Sequence, residues 1–265
     1  MKRRVLSIWP ALCFLPVIYS AAAQPGNGTT AFSIGRERFA AGDMKAAIVS
    51  LELAISQDPT NSQYVLWLGR AYGRRAESAN PFLAPRFAVK AREAFERAVQ
   101  LDPANTDALN DLFQYHLDAP GFLGGGLDRA TATAEQVRRL DPVEYEFDLA
   151  KIAEKRRDWQ NAEVHYRRAV KFAPDDPGRL VDLAKFLESQ RRPSECDVLF
   201  ERARRFAAKA PFVLIEQART YAHSHRNLEL ARSLLNQYLS ARITVEDPPH
   251  AEAARLLREL STAQQ

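Results

Sequence analysis

Cysteine is almost missing from this 265-residue chain, which holds only Cys13 and Cys196. Cys13 falls in an N-terminal segment that reads as removed on export. No intramolecular disulfide is then available, and the fold must rest on its core. Long apolar runs are scarce as well. The run from Val5 to Tyr19 is short for a bilayer and is interrupted by Pro10 and Pro16. A strong excess of one charge is also absent. Residues 1–23 hold three basic and no acidic residues, so the 37 Lys+Arg and 33 Asp+Glu of the full chain become 34 and 33, a net +1. The isoelectric point of about 9.1 therefore gives no support to a nucleic-acid or membrane-surface role.

Catalytic signatures are lacking too. There is no HExxH, GxSxG or phosphate-loop sequence. His223 and His225 stand two apart without acidic or thiol companions, which reads as a solvated pair rather than a metal site. Gly124-Gly125-Gly126 follows a helix instead of a strand, and no Gly-Lys-Ser/Thr closes it, so it reads as a permissive turn. No catalytic residue, metal site or cofactor is expected.

What is present begins with an export pattern. Lys2, Arg3 and Arg4 precede the apolar run, and Ser20-Ala21-Ala22-Ala23 follows it. That is the layout of a secretory signal peptide over residues 1–23, with cleavage after Ala23 and release to the periplasm or the exterior. Cys13 has no lipoprotein-type sequence before it, and an uncleaved anchor is the lesser reading. Residues 24–30 are polar and rich in Gly, Asn and Thr, and read as a mobile leader. Asn27-Gly28-Thr29 matches a glycosylation acceptor, relevant only in a host that glycosylates.

The rest of the chain repeats itself. Ala162, Tyr166, Ala169 and Pro174 give small, aromatic, small and stop positions, the first three on one helical face. Ala47, Leu51, Ala54 and Pro59 repeat the spacing, as do Ala91, Phe95, Ala98 and Pro103, and Ala130, Ala134, Val137 and Pro142. Cys196, Phe200 and Ala203 do so with Ala208 in the proline slot, and Ala231, Leu235 and Tyr238 without one. A partner helix lies upstream of each, clearest at Leu68, Gly69 and Tyr72. Cys196 occupies an alanine slot, which marks it as a buried small residue rather than a reactive thiol.

This pattern resembles the tetratricopeptide repeat (TPR), a helix-turn-helix unit of about 34 residues that stacks into a solenoid. Units begin near Gly28, Ser62, Thr106, Val143, Pro177 and Pro211. Two departures stand out: Phe113 fills a slot that is usually small, and the sixth unit lacks its proline. The expected fold is all-α, a right-handed α-solenoid of about six such units over residues 31–248. A capping helix and tail over 249–265 carry an apolar stripe of Ala254, Leu257 and Leu260. Two inserts interrupt the pattern, at Gly73–Phe87 and Ala119–Gly126. Turns of neighbouring units share an edge, so the inserts are expected side by side. Phe82 and Phe122 at their tips form either a protruding partner patch or a pair packed on each other and on Leu83.

The resemblance implies that the fifth and ninth positions of each unit's first helix face a concave groove. The fifth positions are Phe32, Leu66, Asn110, Phe147, Val181 and Ile215, mostly apolar. The ninth are Arg36, Arg70, Gln114, Lys151, Lys185 and Arg219, five of six basic. In the later units Asp148, Asp182 and Glu216 stand three residues before the base and are expected to neutralise it. In the first two units no acid stands there, and Arg74 adds a cation. Arg36, Arg70 and Arg74 beside Phe32, Phe39, Leu66 and Trp67 therefore read as a site for a segment carrying carboxylate and apolar groups. The competing reading makes Phe39 and Trp67 core residues and points the arginines to water. The function expected is a non-enzymatic protein- or peptide-binding scaffold of the periplasm or cell envelope. The alternatives are a self-assembling structural solenoid and an enzyme of unrecognised type.

Overall fold

The computed structural model describes residues 27–208, 210–244 and 247–262. The expected signal peptide and its cleavage point lie outside the described residues. Among those residues the regular structure is thirteen α-helices and one 3-10 turn, with no strand. Six helical hairpins follow in order: α1 (Asn27–Ala40) with α2 (Met44–Gln57), α3 (Ser62–Ser78) with α4 (Ala84–Leu101), and α5 (Thr106–Asp118) with α6 (Leu127–Val137). Then come α7 (Pro142–Lys155) with α8 (Trp159–Phe172), α9 (Pro177–Ser189) with α10 (Pro193–Phe206), and α11 (Pro211–His223) with α12 (Leu228–Ser240). The last helix is α13 (His250–Thr262). The two helices of each hairpin pack together, and each hairpin packs on the next element in the chain, the quasi-linear stacking of an α-solenoid. No helix among the described residues is long and apolar enough to cross a membrane.

The small-aromatic-small spacing is the core. All of Ala47, Leu51, Ala54, Ala91, Phe95, Ala98, Ala130, Ala134, Val137, Ala162, Tyr166, Ala169, Cys196, Phe200, Ala203, Ala231, Leu235 and Tyr238 are buried. Cys196 is a free, buried thiol whose pKa burial drives upward, as its alanine-like slot requires. In the first two hairpins the eighth residue of the repeat unit, Gly35 or Gly69, meets the large residue of the second helix. A Cβ on Gly35 would lie 2.8 Å from Leu51, and one on Gly69 would lie 2.6 Å from the Phe95 ring. Only a hydrogen leaves room for those side chains. In the third hairpin the sizes are exchanged. Phe113 takes the small slot and Ala134 the large one, and both are buried in the same apolar cluster. The departure seen in the sequence thus conserves volume.

Helix starts follow from local chemistry. Asp43, Asn61, Asn105, Asp141, Asp158 and Asp176 each accept backbone N–H bonds from the first turn they precede. Pro142, read as a stop, is instead the first residue of α7, where a missing N–H costs nothing. The hairpin turns of units one, four, five and six place Gly42, Arg157, Arg191 and His225 in the left-handed region, with φ of 77°, 59°, 59° and 52°. Three of those four are not glycine, so stacking of the helices imposes the turn.

Four further expectations are corrected. Asn27–Thr30, placed in the leader, belong to α1. The first insert is mostly helix: α3 runs on to Ser78 and α4 starts at Ala84. Phe87 stacks on Tyr72 with centroids 6.4 Å apart, and Arg75 lies over the Phe87 ring, which holds the extended ends together. The cap buries Ala253 and Leu260 with Leu256 and Leu257 partly covered, so the stripe runs through Ala253 rather than Ala254. The fifth-position row is not a groove lining throughout, because Leu66, Val181 and Ile215 are buried core.

Candidate functional site

Between α3, α4 and α5 lies an open cavity of about 720 Å³. Phe39, Trp67, Phe95, Tyr115, Ala88, Ala91 and Leu123 make its apolar walls, and Arg70, Arg74, Glu77, Asp107, Asp111 and Asp118 its polar ones. The turn Gly121–Leu123, a single 3-10 turn, closes one side and packs against α4. It is pinned there because the Tyr115 hydroxyl donates to the Leu123 carbonyl at 2.8 Å and Arg129 Nη1 donates to the Gly124 carbonyl at 2.6 Å.

Of the residues singled out from sequence, Phe39, Trp67, Arg70 and Arg74 line this cavity. Trp67 is only 5% exposed and is gripped by Phe39 edge-on at 5.4 Å and by Phe32 at 6.5 Å. Both arginines lie over its ring, Arg36 at 4.6 Å and Arg70 at 5.0 Å. Cation–π contacts of this kind hold the guanidiniums in place. Phe32 also packs on Tyr64 at 4.7 Å, so it supports the stack from behind. Leu66 is fully buried beside Ala91, Phe95 and Leu112, away from the groove.

The charges differ from expectation at two points, Arg70 and Arg74. Arg70 is not uncompensated, since its Nε meets Asp111 of the next unit at 2.5 Å. Burial pushes the Asp111 carboxyl up, while Arg70 pulls it down and Asp107 adds to the rise. Arg74 pairs with Glu77 at 3.3 Å in an exposed contact. Arg36 forms no ion pair among the described residues, and its Nε is buried without a hydrogen-bond partner.

Phe82 and Phe122 are 92% and 82% exposed and make no ring contact with each other. The reading that they pack together is therefore set aside. Both turns are internally braced: Asn80 accepts from the N–H groups of Phe82 and Leu83, each at 3.1 Å. Sequence reasoning missed Phe95, Tyr115 and Asp118 as cavity residues. Asp107, Asp111, Gln114 and Asp118 fall four, three and four residues apart, a polar stripe on one face of α5 that carried the signal.

The concave side of units four to six is filled with ion pairs. Asp148 and Asp182 do not neutralise the bases three residues on. Lys151 pairs with Glu154 at 2.8 Å, and Lys185 with Glu216 of the following unit. Glu216 does pair with Arg219, which also reaches Glu252 of α13 at 2.5 Å. Arg179 binds Glu144 at 2.9 Å and lies 3.4 Å from Asp182. Asp148 is 0% exposed and neither carboxyl oxygen has a partner. Burial foremost, then Glu144, raises its pKa to about 8, against the pull of Arg179.

The architecture defines the class, a solenoid of the tetratricopeptide-repeat type. The solved structures that resemble it agree. TTC0263, a thermophilic TPR protein of Thermus thermophilus, superposes with a TM-score of 0.56 at 18% identity, over 73% of this chain and 98% of that one. PilF of Pseudomonas aeruginosa gives 0.51 at 14% identity over 90% and 98%. PilW, a type IV pilus biogenesis factor, gives 0.51 at 16% identity over 90% and 100%. No protein-family model and no curated protein sequence matches the chain. The likeness is one of fold.

Proposed function

We propose that the chain is an exported, non-enzymatic scaffold that binds an extended segment of another protein in the groove of its first three units. The observation that carries this reading is the aromatic-walled cavity beside the Arg36–Trp67–Arg70 stack. Apolar walls with a few fixed polar groups are the usual make-up of a binding pocket. A partner's apolar side chain would enter the cavity, and a carboxylate would meet Arg36, the groove cation without an ion partner among the described residues. Phe82 and Phe122, held out by braced turns, would add contact at the rim. Export rests on the charged start, apolar run and alanine-rich end of residues 1–23. The self-assembling alternative, through the solenoid ends, meets mixed surfaces, since the first hairpin also exposes Ile34, Val49 and Leu53. Thr30, Glu37 and Arg38 are exposed on α1, and Arg255, Arg258 and Glu259 on α13.

The test uses Gly73, which lines the cavity and whose added Cβ would meet nothing within 4 Å. Gly73→Phe fills the cavity without disturbing the helix. The partner that co-purifies with the wild-type protein from the native envelope is expected to bind this variant at least about tenfold more weakly, a loss of about 1.4 kcal/mol, with melting unchanged. Equal binding by both proteins would reject the site.

A further inference from the structure

We infer that the groove reads the charge order of its occupant, taking an acidic, then an apolar, then a basic side chain along the direction from α1 to α5. This rests on the reading of the groove as a site for an extended protein segment. Among the charged residues that line the cavity or flank Trp67, internal pairs cancel most. Arg70 is matched by Asp111, Arg74 by Glu77, and Asp118 by Lys155 at 2.7 Å. Two remain without an ion pair among the described residues: Arg36 on α1 and Asp107 on α5. They are opposite in sign, and α3 with Trp67 stands between them. Asp107 sits in the first turn of α5. An incoming cation would satisfy Asp107 and relieve its pressure on the half-buried Asp111 carboxyl.

Charge complementarity of this kind sets orientation and discrimination more than raw affinity. A segment with the matching order meets an opposite charge at Arg36, beside Trp67, and at Asp107, in the cavity wall. The reversed segment meets a like charge at both. The basic row by itself selects for acid; Asp107, without an ion pair among the described residues, adds a requirement for base at the α5 side.

The experiment uses four fluorescein-labelled peptides with a central phenylalanine between Gly/Ser spacers. The flanks are Glu then Lys, Lys then Glu, Glu twice, and Lys twice. Binding to the purified protein is followed by fluorescence anisotropy. One mixed order is expected to bind about three- to tenfold tighter than its reversal, as two solvent-facing ion pairs allow. Asp107→Lys, with its fold checked by circular dichroism, is expected to make the double-Glu peptide the best binder. Equal binding of the two mixed orders, an unchanged ranking in Asp107→Lys, or binding of none of the four would each overturn the inference. The broader reading of the groove is judged separately by Gly73→Phe and the native partner.

Discussion

The two halves of the concave surface carry the same row of basic residues and use it in opposite ways. In units one and two Arg36 and Arg70 lie over the Trp67 ring, and an open cavity follows. In units four to six Lys151, Lys185 and Arg219 are locked into pairs with Glu154, Glu216 and Glu252, and the smaller hollow there is walled by such pairs. The difference lies in the neighbouring unit. Where the next concave helix supplies a carboxylate, as Glu216 does for Lys185 and Glu252 for Arg219, the base becomes a strut between helices of successive repeats, while Lys151 is held by Glu154 of its own helix. Where aromatic residues flank it, the base is held ready and partly unspent. Arg70 marks the border, since it does both.

The comparison can be broken at its boundary first. Phe113→Ala empties the exchanged slot and is expected to cost about 3–5 kcal/mol of stability, read by urea unfolding. Adding Ala134→Phe to that variant restores the size order of the other hairpins. It should recover a large part of the loss, whereas independent sites would give two losses that add.

Next comes the contrast between the two sets of bases. Arg179→Ala leaves Glu144 and Asp182 half-buried beside the unpaired Asp148, and should cost about 2–4 kcal/mol. Arg36→Ala removes the cation–π contacts to Trp67 and Phe32 but no ion pair, and should cost about 1 kcal/mol or less. Equal losses would end the distinction between strut and site.

Asp148 sharpens the description of the C-terminal half. Its folded-state pKa of about 8 lies above the ordinary aspartate value of about 3.9. Its stabilising contribution is therefore full below about pH 4 and is lost as pH rises to about 8. Asp148→Asn should flatten that part of the stability–pH curve and raise stability at pH 7 by about 1–3 kcal/mol. Glu144 and Asp182, also raised by burial, leave a residual slope of the same sign. A curve with the wild-type slope in the variant would show that another group carries it. The smallest effect is expected at the turns. Arg157→Gly relieves a left-handed residue and should stabilise by about 0.5–1 kcal/mol, visible as a higher melting temperature.

The second helix of each hairpin was legible because its constraint is local. Ala162, Tyr166 and Ala169 share one face, and the period announces what is buried. The concave face was not, because its pairings reach across units. Arg70 finds Asp111, 41 residues away, and Lys185 finds Glu216, 31 residues away. A rule that looked three residues back assigned Asp148 and Asp182 to the wrong partners. The first insert misled for a similar reason: Gly73, Asn80 and Pro81 read as loop, while Tyr72 and Phe87 pack tightly enough to prolong both helices. Arg36 meets Trp67 because equivalent helices of adjacent units pack side by side.

The exchange of Phe113 and Ala134 bears on how this chain can be recombined. Repeats of this kind invite shuffling, since each touches only its neighbours. Here α5 and α6 must travel together. A chimera joining α5 to the second helix of another hairpin would set Phe113 against an aromatic or leucine residue. One joining α6 to another first helix would leave a void. For the third repeat the smallest transferable piece is the whole hairpin, and a library of hybrids should show its breakpoints between hairpins and none inside this one.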